Sequence, residues 1–175
     1  ILFSSFEKYY PKGQQTLKDK DHRLIIVPHE IDSINLDMIH DRLTKAGFKP
    51  IYYDDKKNLT ESWTVIINEV GILADLYRYS DLAYVGAGFG AGVHSVMEPA
   101  AHANVISFGP KHQIVDMAIN LVDLKLAKVI NSRNDFTCFL DLLVDEDHLI
   151  TIKKQMTSFI MEQKLASENI INKLF

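Results

Sequence analysis

The sequence predicts an α/β fold built on a Rossmann-like, doubly wound and mostly parallel sheet. Three observations predict it. Short apolar runs alternate with helix-length amphipathic stretches along all 175 residues, the pattern of strands joined by helical crossovers. The run Leu24-Ile25-Ile26-Val27 is continuously apolar, as in a strand covered on both faces. The stretch 82–110 reads as strand, glycine loop, helix, strand and glycine-proline stop. That sets a loop able to approach other groups closely at the carboxyl end of a strand, where open parallel sheets bind ligands.

Taken in order, residues 1–10 form a helix with Leu2, Phe6 and Tyr9 on one side, stopped at Pro11-Lys12-Gly13. Lys18-Asp19-Lys20-Asp21 reads as a solvated turn. A strand at 23–28 ends in Pro28-His29-Glu30, and Asp32 or Ser33 then caps a helix running to Ala46, with Gly47 as its stop. The buried stripe of that helix is expected to be Ile34, Met38, Ile39 and Leu43. Strands follow at 50–53 and 64–67, separated by the polar segment 54–62. After Asn68-Glu69-Val70-Gly71 come a helix at 72–79, with Leu73, Leu76 and Tyr77 inward, and the strand 82–86. The helix beyond the glycine loop is expected at 94–102, the next strand at 104–108, a helix from 111–113 to 124 and a strand at 127–130. Helices at 136–144 and 146–174 complete the order, the second with a broad apolar face of Ile152, Met156, Phe159, Ile160 and Met161. Without repeats, low-complexity segments or a linker, residues 1–175 read as one domain.

The loop carries Gly86, Gly88, Gly90 and Gly92 at alternate positions. The amide end of the following helix faces it, which makes an anion site. Gly86-Ala87-Gly88-Phe89-Gly90-Ala91 also matches the dinucleotide fingerprint, but that fingerprint needs an acid roughly 20 residues later, at the end of the next strand. Here the strand ends Ser107-Phe108-Gly109-Pro110 without a carboxylate, which argues against NAD. Glu98 lies early in the helix, close enough to the loop to grip a ligand hydroxyl. His29 and Gly71 also fall at strand ends, and all three are expected to converge on one cleft. Plainer readings stand beside these: His29 capping the next turn, Gly71 as a helix entry, His94 satisfied by backbone, Glu98 paired with Lys111. His22, His40, His102 and His148 lack partner spacing and read as surface or satisfied residues, and Tyr52, Tyr53 and Trp63 as packing groups.

Composition narrows the class. A net charge of −4 offers no broad basic field for nucleic acid. The single cysteine, Cys138, excludes an internal disulfide framework, and its neighbours Phe136, Phe139 and Leu140 suggest a buried thiol in a reducing compartment. No apolar run reaches the ~18 residues of a membrane-spanning helix. The chain opens on Ile1 rather than methionine, so a piece of a longer protein is expected.

Four separated places resemble one family. They are Pro28-His29-Glu30; the Gly71 turn with Leu73 and Leu76-Tyr77; Ser80-Asp81-Leu82-Ala83-Tyr84-Val85-Gly86; and His94-Ser95-Val96-Met97-Glu98-Pro99-Ala100 followed by Phe108-Gly109-Pro110. Together they are similar to the C-terminal half of the 3-deoxy-D-manno-octulosonic acid (Kdo) transferases of lipid A biosynthesis. The family pattern there is a strand ending Pro-Arg or Pro-His, then Met-Gly-Glu-Leu, Ala-Asp-x-Ala-Phe-Val-Gly-Gly, Gly-His-Asn-x-x-Glu-Pro/Ala-Ala and a terminal Gly-Pro. The likeness covers residues 23–120 well and the remainder by element order. It implies the donor-binding half of a GT-B glycosyltransferase that moves Kdo from CMP-Kdo to a lipid A precursor.

Residue by residue, the resemblance implies CMP contacts at Pro28 and His29, at Val70, Gly71 and Ile72, and at Ser95, Val96, Met97 and Glu98. From the chemistry of the loop, Gly88 and His94 join them as donors toward the phosphate. No cofactor is implied. No Asp-x-Asp pair ends a strand, so no metal is expected. The family's catalytic carboxylate and acceptor groove lie in its N-terminal half, so no catalytic residue is expected here and the isolated chain is expected to be inactive. Acceptor and membrane contact, at the cytoplasmic face of the bacterial inner membrane, are expected only through the full-length enzyme, and the piece itself is expected to be soluble. The sequence departs from the pattern at Ile72, where the family has Glu, and at Ser95, where it has Asn; its glycine loop is about one residue shorter and lacks an Arg. Two other readings stay open: another GT-B nucleotide-sugar enzyme such as an epimerase, or a nucleotide-binding module without chemistry.

Overall fold

Every strand expected from the sequence is present, and every strand pairing is parallel. The computed structural model describes residues 2–55, 59–86, 88–90, 92–93 and 95–174, with side chains between 4 and 165. The chain divides into two compact units, Ile1–Leu73 and Ala74–Phe175.

The first unit contains α1 (Leu2–Tyr9), α2 (Gln14–Asp19), β1 (Leu24–Ile26), α3 (Ser33–Lys45), β2 (Ile51–Tyr52) and β3 (Thr64–Ile66). Its strands lie in the order β1-β3-β2, so β3 is central, with Ile66 opposite both Ile26 and Tyr52. Asp32 starts α3 by accepting hydrogen bonds from the amides of Ile34 (3.0 Å) and Asn35 (3.1 Å). The bonds from Asn35 and Ile34 hold its carboxyl below the usual carboxylate range. Gly47 ends the helix region at φ +83°. Helix α2 was not expected and takes up Lys18 and Asp19 of the expected turn, whose Lys20 and Asp21 do form an exposed turn; the helix is what docks the N-terminal segment. Its first residue, Gln14, donates its amide to Gly47 O (3.0 Å), while its side-chain oxygen accepts from the Thr64 hydroxyl of the central strand (3.1 Å). Tyr10, Leu17, Leu43 and Phe48 are buried around this corner.

Two expectations for this unit are corrected. Ile34 and Met38 are not buried: they are 80% and 60% exposed, and of the expected stripe only Leu43 is fully buried. The reason is helical spacing: the covered face of α3 is the one carrying Leu36, Ile39 and His40, all half-buried, and Leu43, with His40 stacked on Tyr52, and at about 100° per residue Ile34 and Met38 fall outside it. The apolar run at β1 does not mark a strand covered on both faces either. β1 is an edge strand with Ile25 exposed.

A buried polar pair tests the packing of this unit. Tyr10 Oη lies 3.0 Å from His22 Nδ1, and the rings meet edge to face beside Phe48. Burial raises the Tyr10 phenol and lowers the His22 imidazole, so the ring is neutral and the phenol donates to it. Because the folded state binds the His22 proton less readily than the unfolded chain, stability is full above the unfolded value of ~6.5 and falls as pH drops through the lowered folded value. We expect the urea midpoint of the wild-type chain to decline as pH falls below about 6.5, and His22→Gln to flatten that decline. Parallel pH profiles for the two proteins would remove His22 as the cause.

The second unit contains β4 (Leu82–Val85), α5 (Met97–Ala101), β5 (Val105–Phe108), α6 (Asp116–Asp123), β6 (Ala127–Val129), α7 (Arg133–Leu140) and α8 (Glu146–Leu174). A short helix, α4 (Leu73–Leu76), begins at the last residue of the first unit and runs into a 3-10 turn, Tyr77–Tyr79. Strand order is β4-β5-β6, and the central strand β5 is buried at all four positions. Helix α8 packs on α5 and β5, with Ile152 and Met156 buried. Asn104, fully buried just before β5, holds the entry to β4. Its Nδ2 donates to Tyr77 O (2.8 Å), and its Oδ1 accepts from the Ser80 hydroxyl. No helix among the described residues is long and apolar enough to cross a membrane.

Here too the structure corrects details. Leu73 is exposed rather than inward. Met161 is exposed on α8. Cys138 is exposed, because Phe136, Phe139 and Leu140 occupy the inward face of α7 and residue 138 points away from it. Helix α7 also starts earlier than expected, through a capping box in which Ser132 and Asp135 bond each other's backbone amides.

Candidate functional site

In each unit the parallel strands deliver the expected residues to one edge of a sheet. β1 and β3 are hydrogen-bonded neighbours running the same way, so the segments after them leave the same carboxyl edge of the first unit. After β1 come Pro28, half-buried, and His29, exposed; Glu30 accepts a bond from Asn35 Nδ2 (3.0 Å). After β3 come Val70, 75% exposed, then Gly71 at φ +87° with open space around it, then Ile72, half-buried. The positive φ favours glycine at position 71 independently of any ligand.

In the second unit β4 runs into the glycine loop, and β5, its parallel neighbour, ends at Gly109 and Pro110 on the same edge. The loop is laced to the segment after β5. Lys111 donates its amide to Gly88 O (2.9 Å), accepts from the Val93 amide at its own carbonyl (3.1 Å), and donates from Nζ to Gly90 O (3.0 Å). Gly88 and Gly109 approach backbone to backbone. A Cβ on Gly88 would stand 2.4 Å from Gly109 N. Gly92 sits at φ +110°, while Gly86 has nothing within 4 Å of where a Cβ would be. Thus the glycine spacing serves the chain's own close packing first.

Helix α5 is shorter than the expected 94–102. It starts at Met97, after Val96, and ends at Ala101, as Ala103 takes a left-handed φ of +55°. Pro99 explains the late start. A helix begun at 94 would place its ring against the carbonyl four residues back, whereas a start at 97 puts it in the first turn, where no amide donor is needed. The helix after β5 is shortened as well, to Asp116–Asp123, since the Lys111 amide and carbonyl are both committed to the loop.

Glu98 stands exposed in the first turn of α5 and makes no hydrogen bond or ion pair among the described residues. Pairing with Lys111 does not occur, because the lysine ammonium is on Gly90 O. The carboxylate still acts at a distance. Burial raises the Tyr77 phenol, and the Glu98 charge raises it further. Ser95 and Met97 are exposed, and Val96 is a core residue, buried beside Val93. His94 lies outside the described residues. Among the described residues no group of three His, Cys, Asp or Glu side chains could hold a metal ion. A groove of about 340 Å³ lined by Asp81, Ala103, Ile150 and Lys153 lies at the opposite, amino-terminal edge of the β4-β5 pair.

No protein-family model matches the chain. A search of solved structures finds the C-terminal CMP-Kdo binding domain of WaaA from Acinetobacter baumannii, with a TM-score of 0.73 and 14% identity over 89% of this chain and 81% of that one. The chain has the fold of that domain. Sequence similarity points the same way. A 3-deoxy-D-manno-octulosonic acid transferase of Chlamydia muridarum is 29% identical over 128 residues, covering 71% of this chain and 29% of the relative. A bifunctional glycosyltransferase/methyltransferase of Fusobacterium nucleatum is 26% identical over 159 residues, covering 88% of this chain and 24% of the relative. The chain therefore spans about a quarter of the length of the curated relatives it matches. The Rossmann-like parallel fold expected from the sequence is found, together with sequence similarity to Kdo transferases.

Lys111 is the functional candidate that sequence reasoning passed over except as a partner for Glu98. One signal was available: it is the only Lys or Arg between Tyr79 and Leu124. Asn104 carried no such signal, since its role depends on backbone carbonyls brought to it by the fold.

Proposed function

We propose that this chain is the donor-binding part of a Kdo transferase and that residues 1–175 act as one nucleotide-sugar-binding domain for CMP-Kdo. The observation that carries the reading is the uncommitted Glu98 carboxylate beside a braced glycine loop at a strand end, in a chain similar in sequence to Kdo transferases. In this reading Glu98 accepts hydrogen bonds from the ribose hydroxyls, and the backbone of the loop around Gly88 faces the single phosphate. Ser95 and Met97 shape the wall beside them, and Val96, whose side chain is in the core, is proposed to contribute through its main chain. Pro28, His29, Val70, Gly71, Ile72 and His94 are proposed as further donor contacts. The monophosphate of a CMP-sugar is its leaving group, so amide donors and cations near it lower the barrier by stabilising departing charge. A base that deprotonates the acceptor is proposed to come from outside this chain. For the larger protein we propose a lipid A precursor as acceptor and the cytoplasmic face of the bacterial inner membrane as the site of transfer.

The direct test is Glu98→Gln. A charged hydrogen bond to a ligand hydroxyl is worth roughly 1.5–3 kcal/mol, and about 1.4 kcal/mol is one decade of affinity. Calorimetric titration should therefore find CMP bound about tenfold or more weakly by the variant. The melting temperature should stay unchanged, because the carboxylate has no partner among the described residues to lose. An unchanged CMP affinity, or a preference for UDP over CMP in the wild-type chain, would turn the reading down.

A further inference from the structure

We propose that the Lys111 ammonium is the phosphate-reading charge of the glycine loop, held in place by the loop itself. The proposal rests on the nucleotide reading above and deepens it by naming a residue and the ligand group it takes. Three observations carry it. First, the main chain of Lys111 is fixed at both polar groups, its N–H on Gly88 O and its C=O on the Val93 amide. The side chain therefore starts from a rigid point. Second, Nζ reaches back to Gly90 O at 3.0 Å, which positions the charge over the middle of the loop and uses one of its three donors. The residue is exposed, so the remaining donors are open to a ligand. Third, no other Lys or Arg lies between Tyr79 and Leu124, and Glu98 does not neutralise this one. An anion entering the loop meets Lys111 as its local counter-charge.

A lysine whose only duty is to brace the loop would act on every ligand alike. A phosphate-reading lysine acts only on the charged part. The experiment therefore compares CMP with cytidine on the wild-type chain, Lys111→Met and Lys111→Arg. Lys111→Met keeps the stem length and both main-chain bonds, so the loop retains its main-chain anchors. We expect wild type to prefer CMP over cytidine, Lys111→Met to lose about tenfold or more in CMP affinity with cytidine affinity unchanged, and Lys111→Arg to recover most of the loss. The CMP preference of wild type should also shrink as salt rises. Equal losses for CMP and cytidine in Lys111→Met would overturn the proposal and leave a brace. If wild type binds neither nucleoside nor nucleotide, the nucleotide reading fails, and inorganic phosphate decides the lysine separately. Shifts of the Gly88 and Gly90 amide resonances on phosphate titration of wild type, absent in Lys111→Met, would sustain the charge as an anion reader; no shift in wild type would refute it.

Discussion

Gly13→Ala is expected to be the most damaging single substitution in the first unit. Gly13 precedes α2 at φ +50° and ψ −119°, a conformation that glycine alone adopts readily. A Cβ there would also stand 2.2 Å from Gly47 C and 2.7 Å from Phe48 N. Both obstacles are backbone, so no side-chain rotation relieves them. Backbone strain and overpacking together are worth on the order of 3 kcal/mol or more, a large share of the roughly 5–15 kcal/mol that holds a domain folded. Moving either segment also breaks the Gln14 bond to Gly47 O and uncovers Tyr10 and Leu17. Trp63 is the sole tryptophan and belongs to this unit, so its fluorescence during urea unfolding reports the loss. Gly71→Ala is the control: φ is +87°, but nothing stands within 4 Å. It should lose only about 1–2 kcal/mol. Equal, small shifts for the two variants would mean that the contact of Gly13 with Gly47 is not what fixes the corner.

Gly88→Ala should do in the second unit what Gly13→Ala does in the first, with a functional loss added. Its Cβ would lie 2.4 Å from Gly109 N and 2.7 Å from Gly109 Cα. The reciprocal change, Gly109→Ala, would lie 2.6 Å from Gly88 C. Either must push the end of β4 away from the end of β5, at an expected cost of about 1–3 kcal/mol. The Lys111–Gly88 and Val93–Lys111 bonds then lengthen, so the Lys111 and Val93 amides should lose protection from hydrogen exchange. CMP affinity should fall with them, because the loop no longer presents its amides or the lysine at fixed points. Gly86→Ala, with nothing within 4 Å of its Cβ, should leave exchange, stability and affinity nearly as they are. Identical exchange at Val93 in the two variants would argue that the loop does not depend on the Gly88–Gly109 approach.

The sequence by itself determined the six strands and their order along the chain, the parallel pairing and the position of the glycine loop at a strand end. Those features follow from local pattern. Apolar runs such as Val105–Phe108 mark strands, and Asp32 and Gly47 mark the limits of a helix through their own backbone and side-chain chemistry. Pro99, too, shortened α5 through a rule legible in the chain, although the expectation of a helix from 94 did not apply it. What only the tertiary structure decided depends on partners distant in sequence. Which face of α3 is covered is one such choice: Leu36, Ile39, His40 and Leu43 line the packed side, with His40 stacked on Tyr52, and Ile34 and Met38 fall outside it. Cys138 sits among buried neighbours in sequence and still faces outward, because helical spacing gives the inner face to Phe136, Phe139 and Leu140. Gly88 looked like room for a ligand and is first of all room for Gly109. Lys111 carried no motif. Its role appears once parallel neighbours β4 and β5 bring the loop and the segment after Pro110 to one edge, where a single residue can bond Gly88, Gly90 and Val93 together. Local pattern sets which residues form each element, but close approach between segments is a property of the packed chain.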